Sequence, residues 1–185
     1  RVIVERTSGV KDYVPILVST LHMAYFPKGA LKGKYVEVAG DFRTYPKWYR
    51  ECETNRLKKH LSTFLFVRLI NFFDIKDEFC EDFNTNEIYL KGTINKTPVF
   101  RSTPKGRVIS DFLLKVERKY GVFDYIPCIA WGGIAKYISN LKSGDQIELL
   151  GRIQSREYFK KFSPDSDEGE TRMAYEISVN RVKES

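Results

Sequence analysis

Apolar and polar residues alternate over most of this chain, and helical periodicity is rare. Such alternation is typical of strands that bury one face. In the first half it predicts strands at Arg1–Arg6, Tyr13–Ser19, Tyr35–Thr44 and Leu61–Ile70, with a weakly helical connector at Thr20–Leu31. Pro15 interrupts the second of these strands, because proline has no N–H for a ladder.

The second half repeats this pattern and adds one clear helix. Strands are predicted at Glu87–Asn95, Val108–Arg118, Asp124–Trp131, Gln146–Ser155 and Met173–Val182. Within 132–142, apolar residues recur at i, i+3, i+4 and i+7, which indicates a helical face. The polar segments Tyr45–Lys59 and Arg156–Thr171 are predicted to be loops. Three strands, a short helix and two strands are typical of the OB-fold.

An internal repeat relates the two halves. The pattern Gly-Val-x-Asp-Tyr-[Val/Ile]-Pro occurs at Gly9–Pro15 and again 112 residues later at Gly121–Pro127. A second pair, Lys34–Gly40 and Asp145–Gly151, is offset by 111 residues. The repeat predicts an all-β protein with one short helix per domain, built as two tandem five-stranded OB-fold barrels. Because nothing in the first half corresponds to residues 86–112, the first barrel is expected to lack its N-terminal strand in this chain.

The distribution of charge agrees with this division. Residues 1–73 carry 13 Lys and Arg against 6 Asp and Glu, and residues 86–185 carry 17 against 13. Between them, 74–85 contains five acids and one lysine, so we interpret it as an acidic linker joining domains 1–73 and 86–185. Basic domains suit a polyanionic partner, although a plain basic surface explains the charge equally well.

Residue types that support catalysis do not form recognisable motifs. The two histidines are isolated, the three cysteines have no metal-ligand spacing, and no phosphate-binding or dinucleotide fingerprint occurs. The sequence therefore predicts a binding protein with no catalytic residues, no cofactor, no metal and no small-molecule substrate. It also lacks an apolar run of membrane-spanning length, and we expect a cytoplasmic protein without membrane association.

Residues 86–158 carry a long pattern that resembles the bacterial single-stranded DNA-binding protein family. The pattern includes Asn86-x-Ile88-x-Leu90-x-Gly92, then Trp131-Gly132, and finally Gly151-Arg-Ile-Gln-Ser-Arg-x-Tyr158. The two-domain arrangement is similar to the tandem OB-fold form of Gram-positive bacteria. The resemblance implies sequence-independent binding of single-stranded DNA in replication, recombination and repair, close to the nucleoid. It further implies that Tyr120, Tyr125, Trp131 and Tyr158 stack on bases.

Alternation along the strand at 124–131 supports this assignment. Tyr125, Ile129 and Trp131 share one face with Pro127, whereas Ile126, Cys128 and Ala130 share the other, which suits a barrel interior. Phe123 adds an aromatic ring in the preceding turn. Cations interleaved with aromatic residues are what a sequence-tolerant groove requires. The candidate phosphate contacts in this domain are Arg118, Lys119, Arg152, Arg156, Lys160 and Lys161.

The first domain offers a second candidate surface. Tyr13 corresponds to Tyr125, and the basic aromatic run at 43–50 contains two further candidates for base stacking, Tyr45 and Trp48. Arg43 and Lys47 are the candidate phosphate contacts there. The same residues suit an interface between domains or subunits equally well.

Single-stranded DNA is therefore the predicted partner, and a homodimer would bring four OB domains together. Two alternatives remain open. One is an OB-fold module for protein interaction or assembly, in a primosome-like or mobile-element complex, because fold does not determine function. The other is binding of single-stranded RNA, because stacking residues do not distinguish the two nucleic acids.

Overall fold

The structure, a computed structural model, describes residues 1–29, 31–50, 57–73, 86–162 and 167–184. The predicted acidic linker at 74–85 lies outside these residues. The elements are β1 (Val2–Glu5), β2 (Lys11–Val14), β3 (Ile16–Leu17), α1 (Thr20–Met23), β4 (Tyr35–Arg50), β5 (Leu57–Phe73), β6 (Ile88–Ile94), β7 (Val99–Ser102), β8 (Val108–Glu117), β9 (Phe123–Trp131), α2 (Gly132–Ser139), β10 (Gln146–Lys161) and β11 (Gly169–Glu184).

Two compact units divide the chain. The first unit comprises Arg1–Val2 and Val14–Thr85, and the second comprises Ile3–Tyr13 and Asn86–Ser185. The hairpin formed by β1 and β2 thus groups mainly with the second unit, although it precedes the first unit along the chain. In the described part of the chain, neither helix has the length or the apolar character that crossing a membrane requires.

The second unit contains a closed five-stranded barrel. Its strands follow the order β6-β10-β11-β9-β8, and β6 closes the circle by pairing with β8 at Thr93↔Lys115 and Ile94↔Leu114. Strand β7 pairs with β8 and extends the sheet beyond the barrel. Every second residue of each strand points inward, so the core is aliphatic and includes Leu114, Ile126 and Ile177. The predicted OB-fold architecture is confirmed for this unit.

Glycine allows neighbouring strands of the barrel to approach closely. A Cβ at Gly92 would lie 2.5 Å from the carbonyl oxygen of Lys115, and one at Gly151 would lie 2.4 Å from that of Ser178. Both distances are below van der Waals contact, so no other residue fits without backbone movement. A β-bulge at Leu150/Gly151 accompanies the second approach. Glycine at both positions thus permits the close strand approach that a small barrel requires.

Helix α2 lies against β8 and β9 and buries Ala135 and Ile138. The hydroxyl of Ser110, on β8, donates a hydrogen bond of 2.8 Å to the carbonyl oxygen of Ala135, so the helix backbone is joined to the sheet. The helix begins directly after Trp131. It occupies the first eight residues of the predicted range, 132–142.

The first unit contains a three-stranded sheet, in the order β3-β5-β4, among its described residues. Its pairing repeats that of the second unit residue for residue. Ile16↔Leu65 in the parallel pair corresponds to Cys128↔Ile177, and both members are offset by 112 residues. The bulge at Ala39/Gly40 likewise corresponds to the one at Leu150/Gly151. The sequence repeat is therefore a repeat of strand register.

Several sequence-based boundaries were wrong. The segment 45–59 was predicted as a loop, but β4 continues to Arg50 and β5 begins at Leu57. The segment 156–171 was also predicted as a loop, yet β10 and β11 remain paired out to Lys161↔Gly169. The outer ends of the β4–β5 and β10–β11 strand pairs are largely exposed on both faces. Their sequences therefore carry no alternating apolar pattern. The predicted strand 13–19 divides at Pro15, and β7 was not predicted.

Candidate nucleic-acid interface

The outer face of the β8–β9 pair carries two of the predicted stacking residues. Tyr125 is paired with Lys115, and Phe123 with Glu117, so all four side chains point to the same side of the sheet. The Lys115 ammonium lies 3.9 Å from the centre of the Phe123 ring, in a cation–π contact. Tyr125 is half-buried and Phe123 is 37% exposed. Aromatic faces and a cation thus lie side by side on an open surface.

Tyr120 occupies the tip of the turn between these strands. Its side chain is 97% exposed, and its φ of 66° places the backbone in the left-handed region. For a residue with a bulky side chain this conformation costs about 1–2 kcal/mol. The turn is closed by a hydrogen bond of 2.7 Å from the Arg118 N–H to the Val122 carbonyl oxygen. A strained turn that presents a bare aromatic ring to water is typical of a binding residue.

Arg118 and Lys119, which precede Tyr120, differ in their surroundings. The Arg118 guanidinium donates two hydrogen bonds to the Asp124 carboxylate, the Nε–Oδ2 distance being 2.5 Å. Asp124 is buried, so this pair fixes the base of the turn. Lys119 is exposed. Of these two predicted phosphate contacts, Lys119 is the more exposed.

The hairpin of β10 and β11 carries the other group of candidates. The Arg156 guanidinium lies 5.9 Å from the centre of the half-buried Tyr158 ring and 3.4 Å from a Glu176 carboxylate oxygen. Lys160 and Lys161 are exposed, and Lys161 forms an ion pair of 2.9 Å with Asp167. Cations and aromatic rings are therefore interleaved along this hairpin.

Trp131 lies apart from Tyr125, in a separate cleft of about 550 Å³. Ile129, which was expected on the same outer face, is buried between Asp111 of β8 and Ser178 of β11. The aromatic residues of β9 are thus divided between two places. We call the second place the Trp131 cleft, and its walls include Arg6, Arg107, Trp131, Arg152, Ser178 and Asn180.

Sequence reasoning missed two cations of this cleft, Arg6 and Arg107. Arg107 follows the Thr103–Gly106 turn and is anchored by backbone bonds to Thr103. Arg6 could have been found through the repeat, since it corresponds to Arg118. Neither position lies near the aromatic run in sequence, so only the fold brings them to Trp131.

A buried carboxylate attaches the β1–β2 hairpin to the barrel. Asp12 accepts hydrogen bonds from Nε of Arg6 at 2.7 Å, Nη1 of Arg152 at 3.1 Å and the Ser155 N–H at 2.8 Å. Burial alone would raise the pKa of Asp12, but the hydrogen bonds from Arg6 and Ser155 and the two guanidinium charges lower it below its ordinary value. The Tyr13 N–H donates to Ser155 Oγ at 2.9 Å.

The candidates of the first unit lie on the long strand β4. Alternation places Arg43, Tyr45 and Lys47 on one face and Trp48 on the other, so Tyr45 and Trp48 are not neighbours on one surface. Tyr45 and Trp48 are 60% and 57% exposed. Arg43 is bound to Asp41 at 2.6 Å, and its guanidinium lies 4.1 Å from the centre of the Phe66 ring.

Comparison with known proteins agrees with the fold. The model of the family described as "Single-strand binding protein family" matches residues 85–184. The single-stranded DNA-binding protein of Halalkalibacterium halodurans is 30% identical over 105 residues, which cover 53% of this chain and 59% of that protein. Single-stranded DNA-binding protein A of Bacillus subtilis is 34% identical over 80 residues, 40% of this chain and 46% of that protein. The chain spans about half the length of the curated relatives it matches.

A solved structure extends the similarity in fold. The crystal structure of a deletion mutant of the single-stranded DNA binding protein from Thermus aquaticus superposes with a TM-score of 0.71. The alignment covers 99% of this chain and 78% of that one, at 18% sequence identity, which establishes similarity of fold alone. Together with the family match over more than half of the sequence, this confirms the resemblance found from the motifs. The chain belongs to the single-strand binding protein family.

Proposed function

We propose that this chain binds single-stranded DNA without sequence preference, through the outer face of β8–β9 and the hairpin of β10 and β11. The observation that supports this most directly is the group formed by Tyr120, Phe123 and Tyr125 beside Lys115. The names of the curated relatives, which are single-stranded DNA-binding proteins, support it as well.

The physical basis is stacking on aromatic faces combined with attraction to phosphates. Each base that stacks on an aromatic ring contributes about 1–3 kcal/mol, and every base has a π-face, so the contact tolerates any sequence. In this proposal Tyr120, Phe123, Tyr125 and Tyr158 provide the rings. The phosphate contacts come from exposed cations, namely Lys119, Arg156, Lys160 and Lys161.

Arg118 has a supporting role in the proposal. Because it is bound to the buried Asp124, it positions the Tyr120 turn, and it remains a candidate phosphate contact beside that turn. Tyr13 of the β1–β2 hairpin, and Arg43, Tyr45, Lys47 and Trp48 of the first unit, would add weaker contacts. The proposed biological setting is the handling of single strands in replication, recombination and repair at the bacterial nucleoid.

Assembly as a homodimer is part of the proposal, since two chains would bring together two closed barrels and two first units. Sedimentation equilibrium of the purified chain tests it. A mass of twice 21.6 kDa is expected, and a monomer at micromolar concentration would contradict the dimer without affecting the binding proposal.

Titration of fluorescently labelled oligo-dT, followed by anisotropy, tests the binding itself. We expect a dissociation constant in the nanomolar to micromolar range that rises with salt, and the association constant should fall with a log–log slope of about −0.7 for each phosphate neutralised. Competition by unlabelled duplex should be much weaker than by oligo-dT. Salt-independent binding, or preference for duplex, would contradict the proposal. Competition with oligo-rU decides between DNA and RNA.

A further inference from the structure

We infer that Asp12 of the β1–β2 hairpin is a positioning residue for single-stranded DNA binding, which acts through a chain of hydrogen bonds that holds Arg156 at the start of the hairpin of β10 and β11. This role rests on the proposed function, because Arg156 is one of the phosphate contacts proposed there. It extends that function to a segment that lies outside residues 85–184, which the family model matches.

The chain of contacts begins at the carboxylate of Asp12, which is buried. Its Oδ2 accepts a hydrogen bond of 3.1 Å from Nη1 of Arg152, and its Oδ1 accepts one of 2.8 Å from the Ser155 N–H. Arg6 neutralises the carboxylate from within the hairpin through two further hydrogen bonds. Asp12 therefore fixes both a side chain and a backbone position of β10.

The next two contacts cross from β10 to β11. Nη2 of Arg152 donates a hydrogen bond of 3.1 Å to Oε1 of Gln154, and Nε2 of Gln154 donates one of 2.7 Å to Oε1 of Glu176. Gln154 and Glu176 are directly opposite in the strand register, and both are buried. Since a guanidinium only donates and a carboxylate only accepts, one orientation of the Gln154 amide satisfies both partners. The order of donors and acceptors along the chain is therefore fixed, which makes the network rigid.

The chain of contacts ends at the proposed binding hairpin. Nε of Arg156 lies 3.4 Å from Oε1 of Glu176, the same oxygen that accepts the bond from Gln154. The Arg156 side chain is 50% exposed, so its remaining donors are open to a phosphate. An arginine that is already held in place loses less conformational freedom when it binds. The contacts from Asp12 to Glu176 thus pre-organise Arg156 beside Tyr158.

The repeat supports this role independently. The equivalent positions in the first unit carry different side chains, namely Asp41 for Arg152, Arg43 for Gln154 and Phe64 for Glu176. Asp41 would repel a carboxylate in the place of Asp12, and the Phe64 side chain has no polar atom. The equivalent positions of the first unit therefore cannot form this chain of contacts. It occurs in the copy that carries the proposed binding hairpin.

The sign of the change in oligo-dT affinity distinguishes positioning from a plain effect of charge. Asp12→Asn removes a negative charge, so electrostatics alone would tighten binding to a polyanion. Loss of positioning should instead weaken binding, and we expect about a three- to tenfold increase in the dissociation constant. Glu5→Gln is the matched control, because Glu5 is an exposed carboxylate of the same hairpin, 3.7 Å from the Lys11 ammonium. It should change affinity less than twofold.

A double-mutant cycle with Arg156→Ala tests the route. If Asp12 acts through Arg156, Asp12→Asn should change affinity less than twofold in the Arg156→Ala background, whereas independent effects would multiply. Gln154→Met removes the middle of the chain at a buried, neutral position and should show the same weakening and the same dependence on Arg156. Circular dichroism confirms that each variant is folded at the temperature of the titration. Gln154→Met decides the question if Asp12→Asn does not fold.

Two results would overturn the inference while leaving the proposed function intact. One is an affinity of the Asp12→Asn protein equal to or tighter than that of the unsubstituted chain. The other is a set of effects that multiply in the cycle, which would mean that Asp12 does not act through Arg156. Absence of oligo-dT binding by the unsubstituted chain would overturn both the inference and the proposed function.

Discussion

Arg118 donates two hydrogen bonds to Asp124, and Arg6 makes the same pair of bonds to Asp12 at the equivalent place in the repeat. Each carboxylate is buried. Each arginine is mostly buried, since its side chain is 31% exposed in Arg118 and 26% exposed in Arg6. The repeat has therefore preserved an ion pair that fixes the base of a turn. In the first copy the same pair also joins the hairpin to Arg152 of the barrel.

Arg118→Ala should lower the free energy of unfolding by about 2–4 kcal/mol, because it leaves the buried carboxylate of Asp124 without its partner. Urea denaturation followed by circular dichroism measures this. Lys91→Ala is the matched control, since Lys91 pairs with Glu148 at the surface and should cost about 0–1 kcal/mol. Unchanged stability together with a large loss of oligo-dT affinity would show that Arg118 acts mainly on phosphate.

The free energy of unfolding should decrease at acid pH because Asp12 becomes protonated. Its pKa is lowered in the folded protein, so the unfolded chain takes up a proton first as the pH decreases. The stabilisation is complete above the ordinary carboxylate pKa of about 4 and is lost as the pH falls through the lower folded value. Asp12→Asn should be less stable at pH 7 and should lose less stability between pH 5 and pH 2. Urea unfolding at several pH values tests this, and parallel pH profiles of the two proteins would contradict it.

Gly151→Ala should destabilise the protein by about 1–3 kcal/mol, because the new Cβ would meet the Ser178 carbonyl oxygen at 2.4 Å. Gly133→Ala is the control. A Cβ there meets nothing within 4 Å, and alanine favours the helix by up to about 1 kcal/mol. Thermal unfolding of both variants measures the difference. Equal melting temperatures would contradict this prediction, because they would mean that the strands move apart at the bulge without loss of stability.

Tyr125→Ala combined with Tyr158→Ala should weaken oligo-dT binding about 30-fold or more, because two stacking contacts are removed. Tyr89→Ala is the control, since Tyr89 is 59% exposed on β6 and belongs to neither proposed binding surface. Anisotropy titrations measure affinity, and circular dichroism checks folding. Unchanged affinity in the double variant would favour the alternative in which these aromatic residues contact a protein partner.

The sequence determined the elements that depend on local pattern. Alternation located most strands of the barrel, the i, i+3, i+4, i+7 spacing located α2, and the repeat anticipated the shared register of Ile16↔Leu65 and Cys128↔Ile177. It also predicted the interior residues Ile126, Cys128 and Ala130, which are buried. These features follow from side-chain periodicity, which is a property of neighbouring residues.

Tertiary structure alone decided which side chains meet. It assigned Arg118 to Asp124, placed the Arg43 guanidinium over the Phe66 ring, and buried Ile129, which the alternation of β9 had placed on the outer face with Tyr125 and Trp131. It also grouped the β1–β2 hairpin with the second unit and brought Arg6 to Trp131 across 125 residues of sequence. Such contacts depend on strand pairing and on burial of opposite charges between distant segments, and a linear pattern of apolar and polar residues carries no information about either.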